Sequence, residues 1–262
     1  MSNRQRTYRT RAVILRRRDY RDADRILKIF TPRLGNIEVI AKGIRKTKNT
    51  KAGHLELFTH TSLLIANART WDVVSEAVTV ESFKYLRQDL DAIGYASYVS
   101  ELIDKFSEAE DENEPMWDLF LHALRMLDVG VQIPSQSNPQ VLLRWFELHL
   151  LSISGFQPQF FYCLRCGNEI QPVSNFLSML EGGIFCADCG QGHEHVELIR
   201  PEILRVLRFL QRSGWQEVEA LQVRPDIMRR VENILYRYIL TILERRLRST
   251  EFLRKLAAQR GQ

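Results

Sequence analysis

Arg25–Thr31 (RILKIFT) and Asn36–Ala41 (NIEVIA) decide how this chain begins to fold. In the first, Ile26, Lys28 and Phe30 alternate with Leu27 and Ile29 until Pro32 ends the run. In the second, Ile37 and Val39 alternate with Glu38 and Ile40. A period of two is that of a β-strand, and Thr31-Pro32 and Leu34-Gly35-Asn36 are turn residues. Working outward, Arg9–Arg18 (RTRAVILRRR) has a β-branched centre at Val13 and Ile14. Leu57–Ala66 and Asp72–Val80 complete a set of five, with Lys42-Gly43 and Ala66-Asn67 as further turns. Five short strands within residues 1–82, with no long helix, fit a small barrel or sandwich. Their spacing matches the OB-fold, a partly open barrel that often binds oligonucleotides on one face.

From Phe83 the period lengthens. Tyr98, Leu102 and Phe106 step by four, and Met116, Leu119, Phe120, Ala123, Leu124 and Leu127 make an apolar stripe behind Pro115. Val141, Leu142, Trp145, Leu148 and His149 make another. Glu108–Glu114 and Gly130–Pro139 are expected to be connectors, the first an acidic, solvated loop. Pro201 opens a helix through Ile203, Leu204, Leu207 and Leu210, and Ile227 to Leu243 carries a long i, i+3, i+4 stripe suited to core packing. The expected class is α+β, with four segments: a barrel at 1–82, helices at 83–159, a cysteine-bearing segment at 160–197 and helices again at 198–262.

The cysteine segment reads Cys163-Leu-Arg-Cys166-Gly167 and Cys186-Ala-Asp-Cys189-Gly190. Two Cys-x-x-Cys turns at this separation are the arrangement for tetrahedral zinc held by four thiolates. A tight turn lets both sulfurs of a pair reach one ion, and a following glycine can take a positive φ under the sulfur. Glu181-Gly182-Gly183 supplies a turn for a short hairpin between the pairs. Four protein thiolates close the coordination sphere, so one structural zinc is expected, with His193 and His195 as less suited substitutes. A segment with few aliphatic residues would draw its folding energy from the metal.

Net charge is +5, but residues 1–51 hold 16 Lys and Arg against four acids, leaving −7 for the rest of the chain. A basic head on a mildly acidic body suits a polyanion. Arg16, Arg18, Arg21 and Arg25 form one group of candidate DNA contacts, and Lys42, Arg45, Lys46, Lys48 and Lys51 form a second. Strand alternation puts Arg16 and Arg18 on one face and Arg17 on the other. Single-strand binders add aromatic platforms, for which Tyr8, Tyr20, Phe58 and Trp71 are candidates, although Phe58 also suits a core. Asp19, Asp22 and Asp24 could hold Mg²⁺ for a nuclease, but they more simply pair with the adjacent arginines. No P-loop and no Gly-x-Ser-x-Gly is present, and no catalytic residue is assigned. Met1–Arg6 (MSNRQR) leads into no apolar segment, which suggests a cytosolic protein. Two other classes stay open on these residues: a zinc- or Mg²⁺-dependent nucleic-acid enzyme, and a zinc-ribbon transcription or scaffold protein.

The run Ala12-Val-Ile-Leu-Arg-Arg-Arg-Asp-Tyr-Arg-Asp-Ala-Asp-Arg-Ile-Leu27 resembles the opening of the bacterial recombination mediator family RecO. So do Phe30-Thr31-Pro32 with Gly35, and Ala41-Lys-Gly-Ile-Arg-Lys46. The two cysteine pairs and the helical end are similar to the zinc-bearing members. The resemblance covers nearly the whole chain and is most specific in residues 12–46. It implies an OB-fold, a helical body and a zinc finger, without enzymatic activity. It also implies binding of single- and double-stranded DNA in the bacterial cytoplasm and nucleoid, annealing of complementary strands, and assistance in loading RecA. The partners it implies are RecR and single-stranded-DNA-binding protein. For the acidic tail of the latter, an apolar groove in the helical body rimmed by Arg is the type of site expected.

Overall fold

The computed structural model describes residues 7–136, 138–244 and 249. The readings made on Met1–Arg6, and on the end of the last helical segment at 245–248 and 250–262, lie outside the described residues. The chain divides into two compact units: residues 7–133 with Ser249 among those described, and residues 134–244.

In the first unit, β1 (Thr7–Tyr20), β2 (Asp24–Thr31), β3 (Gly35–Ala41), β4 (His60–Ala66) and β5 (Asp72–Glu81) close into a barrel. The order is β1-β2-β3-β5-β4. Neighbours are antiparallel except β3 and β5, which run parallel and pair at Val39–Asp72 and Ile40–Val73. This is the five-stranded OB-like ring expected from the strand spacing. Ala12, Ile14, Leu27, Ile29, Val39, Leu63, Ile65 and Val74 fill its interior. Each large aliphatic side chain taken from water contributes about 1.5–3 kcal/mol.

Val13, Leu15, Ile26 and Phe30, on the opposite parity, are also buried. The barrel's outer face is covered there by α1 (Leu90–Phe106) and α2 (Glu114–Gln132), which explains why residues 12–15 are apolar without a break. The Phe30 ring lies 6.0 Å from Trp117 and 6.1 Å from Phe120. Asp89 caps α1 by accepting from the Ala92 N–H at 2.9 Å, and Asn113 caps α2 by accepting from Met116 at 3.0 Å.

Two local departures from plain alternation shape the basic end. The β1–β2 register shifts between Ile14 and Arg16. Ile14 pairs with Ile29, both in the interior cluster, yet Arg16 pairs with Lys28 and Arg17 with Leu27. Uninterrupted parity from Ala12 and Ile14 would have aimed Arg16 and Arg18 inward; the bulge reverses the phase and leaves them outside. The second departure is Phe58, where φ is +65° and the N–H donates to Ile14 at 2.9 Å. Sequence alternation places a strand over Leu57–Ala66, but this turn delays it to His60. Phe58 itself is 3% exposed and belongs to the core, so it offers no stacking face.

Glu108–Glu114 also differs from expectation. Its carboxylates are mostly solvated, but its backbone is tied to the β2–β3 turn: Asn36 N–H donates to Glu108 at 3.1 Å and Glu110 N–H to Leu34 at 3.0 Å. Gly35, at φ +56°, permits that approach, since a Cβ there would stand 1.9 Å from the Glu108 carbonyl oxygen.

The second unit contains α3 (Pro139–Ile153), β6 (Asn175–Ser178), β7 (Gly183–Phe185), α4 (Ala187–Gly190) and β8 (Val196–Ile199). It continues with α5 (Pro201–Arg212), α6 (Trp215–Val218) and α7 (Pro225–Leu243). The stripes read from the sequence meet here: Leu148 and Leu151, Leu207 and Leu210, and Val231 and Leu235 are fully buried where α3, α5 and α7 pack. The strands form a small sheet in the order β7-β6-β8. The β6–β7 hairpin turns at 179–182, where Gly182 takes φ +70°, as the Glu181-Gly182-Gly183 run suggested. No described helix is long and apolar enough to cross a membrane.

Candidate nucleic-acid interface and metal centre

The two basic segments of the sequence are joined at one end of β2. Arg45 N–H donates to the Ala23 carbonyl at 3.0 Å, and Gly43 N–H donates to Asp24 Oδ1 at 2.7 Å. Asp19 sits between the segments, 2.8 Å from Arg25 Nε and 3.4 Å from Arg45 Nε. Its hydrogen bond from Arg25, aided by the charge of Arg45, holds its carboxyl below the usual aspartate range. Two of the three acids among the arginines therefore serve as links between turns. Asp24 is spent on a backbone N–H and Asp19 on two guanidiniums, and the sole metal-type cluster among the described residues is the cysteine group.

The candidate cations fall into two kinds. Arg16 is paired with Asp104 on α1, a carboxylate that also holds Lys28 at 2.5 Å and accepts from Asn36 Nδ2 at 3.1 Å. Arg18 is 3.7 Å from Glu38, and Lys51 Nζ donates to the Val74 carbonyl at 3.0 Å, which pins the loop to β5. By contrast, Arg21, Lys42, Lys46 and Lys48 are exposed and make no ion pair with a described residue. Asp104 and Lys28 had no signal in the sequence, because their pairing crosses from α1 to the barrel.

Aromatic rings stand on the same rim. Tyr20 meets Trp71 edge to face at 5.2 Å, with the Arg18 guanidinium 5.8 Å over Trp71 and that of Arg21 5.2 Å over Tyr20. Both rings are half-buried, so each keeps exposed surface. Tyr8 donates to Asp72 at 3.0 Å; burial and that bond push its hydroxyl well above the usual tyrosine range. It is a structural tyrosine.

The four cysteine sulfurs lie within 4.8 Å of one another, and Cys166 and Cys186 are 3.9 Å apart. A tetrahedral ion with bonds of about 2.3 Å needs sulfurs about 3.8 Å apart, whereas a disulfide needs about 2.05 Å. The donor set thus fits a metal held by four thiolates. Burial opposes ionisation of Cys163, yet backbone N–H groups of Cys166, Cys186 and Arg165 outweigh it and bring this thiol to about 6. Cys189, hydrogen-bonded to Cys186 and partly desolvated beside the other sulfurs, is pushed up to about 12. Four sulfurs this close ionise together only around a cation.

The two glycines of the cysteine turns have different roles. Gly167 takes φ +71° as expected, but Gly190 has no positive φ. It is required for space instead: a Cβ would lie 2.4 Å from the Phe176 ring. His193 leans on the Phe185 ring at 4.4 Å and is 3.5 Å from Glu181, and it is not part of the cysteine cluster.

The sequence reading placed no groove on particular residues of the second unit. A groove of about 510 Å³ runs beside α5, with Leu204, Phe209 and Leu221 as apolar lining and Arg205, Arg208 and Arg212 along it. Arg208 is fixed by donating to the Phe160 and Ile170 carbonyls at 2.8 and 3.0 Å. Arg205 and Arg212 are exposed, and no described carboxylate pairs with them. The i, i+3, i+7 spacing of these arginines behind Pro201 is the signal that could have located the groove.

Comparison with known proteins agrees with this geometry. Residues 1–83 match the family model described as Recombination protein O N terminal, and residues 87–251 match Recombination protein O C terminal. The chain is 39% identical to a DNA repair protein RecO of Roseiflexus sp. over 95% of its own length and 86% of that protein's. It is 33% identical to a DNA repair protein RecO of Dehalococcoides mccartyi, with 91% of both chains covered. A third, from Symbiobacterium thermophilum, is 31% identical over 97% and 99% of the two chains. A barrel with a basic rim, a four-cysteine centre in a helical body, and matches spanning both halves lead to one conclusion: this chain belongs to the RecO family of DNA repair proteins, which are recombination mediators and not enzymes.

Proposed function

We propose that this chain binds DNA at the barrel rim, anneals complementary single strands there, and assists RecA loading onto DNA coated by single-stranded-DNA-binding protein. The observation that carries this reading is the junction of residues 16–25 with 42–51 beside the Tyr20–Trp71 pair. Arg21, Lys42, Lys46 and Lys48 supply phosphate contacts, with Arg16, Arg18, Arg25, Arg45 and Lys51 acting through their charge and by holding the rim in shape. The two rings give bases a stacking surface. No group here does covalent chemistry; release of counterions from phosphate drives binding, and two strands held on one surface meet at a raised local concentration.

One structural zinc is held by Cys163, Cys166, Cys186 and Cys189. The metal supplies folding energy to the β6–β8 segment, which buries few aliphatic side chains. The partners are RecR and single-stranded-DNA-binding protein. The groove beside α5 suits the acidic, apolar tail of the latter, with Arg205 and Arg212 facing carboxylates and Leu204 and Phe209 facing apolar side chains.

The test is an annealing assay on complementary strands precoated with single-stranded-DNA-binding protein. Annealing is expected with the wild type and reduced with Lys42→Gln/Lys46→Gln/Lys48→Gln. Strand cleavage in Mg²⁺, or no acceleration of pairing, would overturn the reading.

A further inference from the structure

At the far end of β2 from the rim, a second cavity opens on the barrel. It measures about 260 Å³ and is lined by Arg9, Thr10, Arg11, Pro32, Arg33 and Ser62. Register explains the convergence. Arg11 pairs with Ser62 and Thr10 with Leu63 across β1 and β4, while Pro32 and Arg33 lie in the turn after β2. Three residues of one charge, from two remote stretches of sequence, surround one polar cavity, and its lining includes no carboxylate.

Each arginine has an acid partner, and all three pairs are exposed. Arg9 meets Glu76 at 3.0 Å, Arg11 meets Glu114 at 3.3 Å, and Arg33 approaches Glu112 only to 3.9 Å. All six side chains are at least 42% exposed, where water and salt leave little net attraction. A guanidinium has five donors, and at most two of them are engaged in each pair. Arg11 is further oriented by the Trp117 ring, 5.5 Å beneath its guanidinium. The remaining donors, with the Ser62 hydroxyl, suit an oxyanion that accepts several at once.

We propose that Arg9, Arg11 and Arg33 form a second phosphate site of this chain, which takes the sugar–phosphate backbone of DNA. The proposal rests on the DNA-binding reading above and adds to it a contact region apart from the rim. From Asp24 to Thr31 β2 spans eight residues, roughly 25 Å at about 3.3 Å per residue. The Arg33 side of the site is thus apart from the rim, while Arg9 follows Tyr8, whose hydroxyl donates to Asp72 beside Trp71, so DNA that crosses the rim can continue along β1 to this site.

The experiment measures binding of single-stranded DNA by fluorescence anisotropy across a salt series. It compares wild type, Arg9→Gln/Arg11→Gln/Arg33→Gln, the rim variant Lys42→Gln/Lys46→Gln/Lys48→Gln, and the remote control Arg229→Gln. The cavity variant is expected to lower the magnitude of the log–log salt slope by about 2, at about 0.7 per contact, additively with the rim variant. Arg33→Gln alone lies on an exposed turn, leaves β1 untouched, and is expected to lower it by about 0.7. A cavity variant that keeps the wild-type slope while the rim variant loses its share defeats this site alone. A wild type that binds no DNA defeats both readings. Titrating inorganic phosphate separates a backbone site from a free-anion site: phosphate that saturates the three arginines at concentrations leaving DNA bound at the rim, with no change in DNA slope, overturns the assignment.

Discussion

Asp24 Oδ1 accepts a hydrogen bond from the Gly43 N–H at 2.7 Å, and this contact fastens the lysine-bearing loop to the β1–β2 turn. Gly43 has φ +63°, a conformation that presents its N–H to the carboxylate without Cβ strain. Asp24→Ala removes the anchor without changing a cation. It is expected to cost about 1–3 kcal/mol of stability and to raise hydrogen exchange in residues 42–51. DNA affinity at fixed salt should fall although the local positive charge rises by one. Tighter binding would show that charge alone, and not loop placement, governs the rim.

The rim cations divide into free and paired groups, and this predicts unequal effects. Replacing Lys42, Lys46 and Lys48 by Gln should reduce the salt slope by about 2. Arg25→Gln and Arg45→Gln, which release Asp19, should have a smaller effect per residue on the slope and a larger one on loop order. Equal slopes for all five single variants would erase the distinction.

Removal of the metal should act on one segment. Cys163→Ser, or chelation under denaturing stress, is expected to release one zinc per chain and expose residues 160–199 to proteolysis, while the barrel stays folded. Structural zinc sites contribute on the order of 10 kcal/mol to the folding of the segments they close. A purified chain with no zinc by elemental analysis, made without chelator, would contradict the site.

Gly35→Ala tests the strap between the β2–β3 turn and the α1–α2 connector. The added Cβ meets the Glu108 carbonyl oxygen at 1.9 Å and is held at φ +56°, so the backbone must move. A loss of about 1–3 kcal/mol in urea unfolding is expected, larger than for an ordinary glycine of the barrel. An unchanged midpoint would mean that the connector is not held there.

His60 gives the first unit a sensitivity to acid. Burial lowers its pKa, and the opposing hydrogen bond to Glu81 at 2.8 Å does not recover the difference. The unfolded chain then takes up a proton that the folded state resists. Stability is full above the ordinary histidine value of about 6.5 and falls as pH drops below it toward the lowered folded value. His149, also lowered by burial, acts with the same sign in the second unit. Urea midpoints from pH 8 to pH 5 should decline in wild type, and His60→Gln should flatten the part of that decline belonging to the barrel. A rise in stability on acidification would reverse the sign and refute the account.

The strand set, the helical stripes and the cysteine pairs were legible from residue order, because each depends on a local period or spacing. RILKIFT and NIEVIA alternate because a strand shows its sides by turns, and Cys-x-x-Cys needs only one tight turn to bring two sulfurs together. Tertiary structure decided what depends on partners distant in the chain. The bulge after Ile14 is invisible in RTRAVILRRR, yet it alone turns Arg16 and Arg18 outward. Asp104 takes Arg16 and Lys28 only because α1 lies on the barrel, and Arg9, Arg11 and Arg33 surround one cavity only because the β2–β3 turn returns beside β1. The sequence carried the number of positive charges; which of them remain available to a phosphate was set by which carboxylates the closed barrel and its two helices bring within reach, since an ion pair is a matter of distance in space.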